Sequence, residues 1–370
     1  MAQDLPLEPP RPAASWLKPS VTWLFVFIPI ALALDHGGAR PPLVFFAAAL
    51  SIVPIAAWIV RSTEQLAHYT GDAVGGLLNA TFGNAPELII GAVALRAGLY
   101  EMVLASLVGA ILANLLLALG LSFFLGGLKH RDQTYRVDAT RMYVSMMLLA
   151  VTSMAVPSTF RTFSKGAVVA EQHLNLAVAL VLVALYVLYL VFMLKTHPHL
   201  FVSEGGGEGH GEGGERWSVK RAVVTLLAAS VLAAWMSEVL VGAAEGTGES
   251  LGMSQAFVGL VFLAIVGGAA ESGSAIAMAR KNRMDMAVGI AIGSCIQIAL
   301  FVAPVLVFLS YVMAPQPLQL LFPRVLVGTS LIAVLVGAVV AGDGHSNWFK
   351  GVQLVAVYAL FALLAYFVPA

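Results

Sequence analysis

Charge, cysteine and recognisable catalytic punctuation are all scarce in this chain. Only 11% of its 370 residues are charged while 59% are hydrophobic, which excludes an ordinary soluble fold: no core of this size could hide so much apolar surface. Twenty basic and twenty acidic side chains cancel, so no global bias toward nucleic acid or an acidic partner exists. The single cysteine, Cys295, excludes an intrachain disulfide, and within an apolar run it reads as a small packing residue. None of the eight histidines forms an H-E-x-x-H pair, and no nucleophile elbow accompanies a histidine in the apolar runs, which argues against a membrane-embedded enzyme. The opening residues carry prolines and mixed charges without an A-x-A cleavage signal, so residues 1–19 read as a disordered tail.

What the chain has instead is a succession of apolar runs of about 20 residues, the length that crosses roughly 30 Å of hydrocarbon. The strand-like alternation of a membrane barrel is missing. The expectation is an all-α polytopic membrane protein with eleven transmembrane helices near 20–36, 41–60, 66–95, 99–126, 138–158, 168–194, 220–244, 253–279, 285–313, 322–342 and 349–368. With the N-terminus placed in the cytoplasm, fifteen Lys and Arg residues fall inside and five outside, as the positive-inside rule demands. Residues 203–215 hold four glutamates among glycines and read as a flexible cytoplasmic linker, since no EF-hand spacing is present.

The third and eighth runs each interrupt their apolar character with a glycine and a glutamate. Gly83-Asn84-Ala85-Pro86-Glu87 recurs 184 positions later as Gly267-Gly268-Ala269-Ala270-Glu271. The same ungapped offset pairs Gly75 with Gly259, Arg96 with Arg280 and Gly109 with Gly293. Five crossings separate the two copies, an odd number, so they point in opposite directions. That defines an inverted repeat, a construction that places a transport site near the bilayer midplane. The expected organisation is an extra N-terminal helix (20–40), a first five-helix repeat (41–196), the acidic linker (197–217) and a second five-helix repeat (218–370).

A carboxylate at the bilayer centre costs about 2.5–3.5 kcal/mol unless it meets a partner or a wet cavity. A symmetric pair, each behind a helix-breaking glycine, therefore predicts a shared ion site. Gly83 and Gly267 let the helices unwind and expose carbonyl oxygens. Glu87 and Glu271 add charge, and an all-oxygen donor set suits a hard divalent cation, calcium before zinc or copper. Without a cation between them the carboxylates repel, and a proton relieves the repulsion, so one site can exchange the two.

Other polar residues have two readings each. Gln297 either orients a ligand and gates the site or bridges helices. Asn84 and Asn114 share that ambiguity, with Asn84 favoured by its place in the motif. Glu238, about mid-span in the seventh run, is a candidate on the proton or ion route. Glu64 and Asp72 are an entry path or a solvated helix end, and Glu245 and Glu249 sit at a solvated outer edge.

The stretches Thr70-Gly71-Asp72, Gly75 to Ile89 and Gly293 to Pro304 resemble the calcium/proton exchanger family of the calcium/cation antiporter superfamily. The resemblance covers most of the chain, from about Ser62 to the C-terminus. It implies a ten-helix inverted repeat plus one N-terminal helix. It also implies cation ligation by Glu87 and Glu271 with backbone help at Gly83 and Gly267. Asn84, Ser294 and Gln297 then have supporting roles and Glu238 an accessory one. The second motif departs from the family's usual Gly-Asn-Ala-Ala-Glu-His at Gly268 and Ser272, and Pro86 stands where threonine is commoner. Both departures bear on ion selectivity and on the coupling proton.

The function so implied is a secondary transporter exchanging calcium or another divalent cation for protons, with no bound cofactor. It would sit in a bacterial inner membrane with lipid as its partner, and a homo-oligomer is compatible with it. A sodium-coupled exchanger is the alternative, short of oxygen ligands because Thr81, Ser272 and Ser274 add only a few hydroxyls. A channel is the more remote one.

Overall fold

A computed structural model describes residues 21–163, 168–200 and 216–367. The expected tail at 1–19 and the glycine- and glutamate-rich stretch 203–215 lie outside the described residues.

In hydrocarbon each backbone N–H and C=O must be satisfied within the segment, and the chain is accordingly helical almost throughout. A 3-10 turn (Val21–Val26) leads into α1 (Phe27–His36), followed by α2 (Pro41–Phe82) and α3 (Ala85–Arg96). Then α4 (Tyr100–Leu112) passes through a π-helical segment (Ala113–Ala118) into α5 (Leu119–His130), strand β1 (Asp132–Thr134), α6 (Val137–Phe163) and α7 (Val168–Val191). The second half opens with α8 (Val219–Leu251). It continues through α9 (Gln255–Phe257), a π segment (Val258–Leu263), α10 (Ala264–Gly267) and α11 (Ala269–Arg280). Next, α12 (Met284–Gln297) runs through a π segment (Ile298–Val302) into α13 (Ala303–Met313). The chain closes with α14 (Arg324–Ala341), β2 (His345–Asn347) and α15 (Trp348–Phe367).

Eight described helices are long and apolar enough to span a bilayer, and the pair Gln255–Gly267 and Ala269–Arg280, bent by 56°, makes a ninth. The expectation of eleven differs for two reasons. The first expected span is met only by the shorter apolar helix Val21–His36. The second and third, at 41–60 and 66–95, have no loop between them, because α2 is helical from Pro41 to Phe82. Yet α2 is not a straight rod. Residues eight apart in a straight helix are about 12 Å apart along its axis, whereas a Cβ built on Gly75 would lie 2.9 Å from the Cβ of Ala67. The chain therefore doubles back between these residues, and α2 departs from a regular helix there.

Two clusters of contacts define the ends of the bundle. At one end β1 pairs antiparallel with β2, Gln133 opposite Ser346. There Gln133 also donates to the Ala279 carbonyl and Asn282 Oδ1, at 2.9 and 2.8 Å, and the Arg136 amide donates to Asp285 Oδ1 at 2.7 Å. At the other end Tyr100 bonds both the amide and carbonyl of Gln316, and Asn175 bonds the carbonyl of Leu318 and the amide of Leu320. Pairing of β1 with β2 requires an even number of passes between them. The chain supplies six: α6, α7, α8, the bent pair, α12 with α13, and α14. Of the expected linker 197–217, Pro198–Leu200 forms a 3-10 turn and Trp217 is buried, its carbonyl accepting from Tyr69 at 2.6 Å.

Small residues let the central helices touch. A Cβ on Gly109 would fall onto the carbonyl of Leu260, and one on Gly259 onto that of Met102, so α4 crosses the π segment 258–263 backbone to backbone. Ile111 and Cys295, 184 positions apart, also meet: the Cys295 thiol lies 3.5 Å from the Ile111 carbonyl. Repeat-equivalent residues can touch each other only near a two-fold axis.

Candidate cation site

Both glycine-glutamate motifs fall at helix breaks. The first break is Gly83 and Asn84 between α2 and α3, and the second is Gly268 alone between α10 and α11. Backbone angles at the two are nearly equal, φ −93° and ψ 19° at Asn84 against φ −79° and ψ 7° at Gly268. The expected unwinding is thus a short bend, and α3 and α11 restart one residue later. Because α3 ends at Arg96 near Tyr100 and α11 ends at Arg280 near Gln133, the two half-helices run in opposite directions from the breaks.

Glu87 lies in the first turn of α3 and Glu271 in the first turn of α11. Each carboxylate sits at the positive end of a half-helix, while α2 and α10 point their negative, carbonyl ends at the same place. The halves interlock here. A Cβ on Gly267 would come within 2.9 Å of Glu87 Cγ and 3.6 Å of its Oε1, so the glycine of the second motif makes room for the glutamate of the first. The two carboxylates lie within electrostatic range of each other.

Amide groups complete the surroundings. Asn84 is fully buried and donates its side-chain amide to Gln297 Oε1. Asn114 lies in the π segment that follows α4, and its side-chain amide would be 3.5–3.6 Å from a Cβ on Gly268. Ser294 donates its hydroxyl to the Ile290 carbonyl at 2.9 Å and lies beside the Glu271 carboxylate. Five buried side-chain oxygens of these site residues have no hydrogen-bond partner among the described residues: both of Glu87, Oε2 of Glu271, Oδ1 of Asn84 and Oδ1 of Asn114. An unpartnered buried acceptor is costly, and hard oxygens with two negative charges are what a calcium-sized cation takes. No group of three or more His, Cys, Asp or Glu side chains that could hold a metal ion occurs among the described residues.

The remaining expected residues lie elsewhere. Glu238 is not held with the pair: it is half-exposed on α8 and forms an ion pair with Arg96 at 3.3 Å. As the twentieth residue of a 33-residue helix, it stands about 28 Å from the helix start, just past the middle of the helix. Glu64 is exposed on α2, eighteen residues before its end. Ser272 follows Glu271 half-buried, its amide bonded to the Gly268 carbonyl at 2.9 Å. Sequence reasoning passed over Ser237, which is fully buried on α8 with its hydroxyl unpartnered among the described residues.

A family described as sodium/calcium exchanger protein matches residues 41–195 and 221–367. The chain belongs to this family. It is 41% identical over 325 residues to the Ca(2+)/H(+) antiporter ChaA of Bacillus subtilis, covering 87% of this chain and 92% of that protein. It is 40% identical over 365 residues to a Ca(2+)/H(+) antiporter of Synechocystis, with 94% and 96% covered. Among solved structures it is similar to native YfkE, with a TM-score of 0.81 at 36% identity over 94% of this chain and 99% of that one. The matched stretches of the family include both helix breaks and every residue assigned above to the site.

Proposed function

We propose that the protein is a secondary transporter that exchanges calcium, or a similar divalent cation, for protons by alternating access. The observation that carries this reading is the convergence of Glu87 and Glu271 at two oppositely directed helix breaks, ringed by amide oxygens that lack partners. Two carboxylates neutralise a divalent ion. When it leaves, their repulsion at low dielectric is relieved by a proton, so cation and proton compete for one site. Competition for a single midplane site is what couples the two fluxes. The relatives are named as antiporters, which supports a transporter and not an enzyme.

The same reading assigns eleven passes, counting Val21–His36 and the returning arm of α2 with α3 beside the nine. The repeats are then 41–196 and 218–370, close to the two matched stretches. The end holding β1, β2, Lys129, Arg131, Arg280 and Lys350 is cytoplasmic, with the N-terminus on that side. Bacterial relatives support an inner-membrane location.

Calcium-45 uptake into proteoliposomes tests the reading, driven first by a proton gradient and then by a sodium gradient. Uptake following the proton gradient is expected. Uptake following sodium alone replaces it with the sodium-coupled alternative.

A further inference from the structure

Away from the cation site, at the end of the bundle opposite the β-ribbon, a cavity of about 160 Å³ lies between α4, the chain from Ser254 to Leu260, α14 and α15. Its depth can be read from α4, which lines it from Glu101 to Leu112: eleven residues, about 16 Å along the helix. Half of a hydrocarbon core of roughly 30 Å is about the same length, so the cavity is a narrow slot running the depth of one leaflet. Its back wall is buried, Leu112 being 0% and Leu260 2% exposed. Val325 and Leu364, each 43% exposed, line it from the surface and frame an opening toward lipid.

The interior has little to hold water. Two hydroxyls line it, and both are committed elsewhere: Ser254 Oγ accepts from the Phe257 amide at 3.1 Å, and Thr329 donates to the Leu326 carbonyl at 3.1 Å. An apolar cavity of about 150 Å³ stays dry and holds a group the size of benzene, so one of this size that opens to a bilayer fills with hydrocarbon. The mouth, by contrast, is charged. Glu101, in the first turn of α4, is exposed and has no hydrogen bond or ion pair among the described residues. Arg324, which opens α14, is likewise exposed and unpaired among the described residues. It stands between the lining residues Pro323 and Val325, its Cα about 3.8 Å from each of theirs. A carboxylate on one wall and a guanidinium on the other complement a headgroup that carries both an ammonium and a phosphate, and a primary ammonium can donate hydrogen bonds to the carboxylate where a quaternary one cannot.

We propose that this cavity binds one phospholipid with a phosphoethanolamine headgroup. An acyl chain enters between Val325 and Leu364, Arg324 takes the phosphate and Glu101 the ammonium. The chain reaches Leu112, which adjoins the π segment carrying Asn114, and Leu260, which belongs to the π segment ahead of α10. A bound lipid thus packs, from the membrane side, against both segments that lead to the cation site. The proposal does not depend on which ions are exchanged.

Native mass spectrometry of the purified protein tests it, after incubation with equal amounts of dioleoyl phosphatidylethanolamine, phosphatidylcholine and phosphatidylglycerol. The wild type should retain a single phosphatidylethanolamine, preferred about 2- to 5-fold over either of the others, as an exposed ion pair allows. Glu101→Gln should erase that preference while lipid is still retained, and Arg324→Gln should weaken retention of all three. Ala256→Phe sets a ring into the cavity and should abolish retention. Equal or stronger retention of the other two lipids by the wild type, a preference that survives Glu101→Gln, or full retention by Ala256→Phe overturns the site. If Ala256→Phe is not monodisperse on size exclusion, Ala365→Phe fills the cavity from α15 and reads the same loss.

Discussion

Gly267→Ala puts the interlock of the two repeats to the sharpest test. The new methyl would meet Glu87 Cγ at 2.9 Å and Cδ at 3.4 Å, against an ordinary carbon contact of about 3.5–4.0 Å. The clash is with the stem of the glutamate, so the stem must rotate or shift by roughly half an ångström or more, and the carboxylate moves with it. Overpacking of this kind costs about 1–3 kcal/mol, equivalent to about 5- to 150-fold in affinity if it falls on the cation-bound state. The assay is the calcium KM of proton-driven calcium-45 uptake, which should rise by that factor. Gly268→Ala is the internal control. Its φ of −79° suits any L-residue, and its methyl finds ordinary contacts at 3.4–3.6 Å with Ala264 and Asn114. A normal KM for Gly267→Ala, or a larger rise for Gly268→Ala, would refute the interlock.

Other outcomes are as specific. Glu87→Gln and Glu271→Gln should each abolish exchange while the purified protein keeps its elution volume and helical circular dichroism, and substantial uptake by either removes the residue from the site. Gly109→Ala drives a methyl into the Leu260 carbonyl and should lower thermal stability in detergent by about 1–3 kcal/mol or more. Its repeat mate Gly293 has no described atom within 4 Å of such a methyl, so Gly293→Ala should be tolerated. At the β-ribbon end, burial pushes the Asp343 carboxyl up, but Lys350 at 2.6 Å and the His345 amide outweigh it and hold it below the usual carboxylate value. A depressed folded-state value gives stability that is present above the unfolded value of about 3.9 and is lost as pH falls through the folded one. Asp343→Asn should therefore lower the melting temperature slightly at neutral pH, and the difference should close in acid.

The paired carboxylates were legible in the sequence because a glutamate behind a glycine in an apolar run has few inexpensive explanations, and two such motifs at one offset have fewer. The fold-back of α2 was less so. Residues 61–75 contain no proline, and Gly71, Gly75 and Gly76 belong to the motif, so the reversal has no separate punctuation. Glu238 does stand near the middle of the 33-residue α8, but its half-exposed side chain pairs with Arg96, a contact that only the tertiary structure reveals.

The departure from two-fold symmetry can now be given a physical cause. At the first break the amide comes from Asn84 itself, tied to Gln297 across the repeats. At the second, where the family usually has asparagine, Gly268 leaves space that the Asn114 amide approaches from α4's π segment. Each break thus has a buried side-chain amide at it, one belonging to the break's own Asn84 and the other reaching it from Asn114 of the opposite repeat. An asparagine at 268 would crowd Asn114 and not simply add a ligand. The position that looks like a lost ligand in sequence is, in three dimensions, the space that the Asn114 amide approaches.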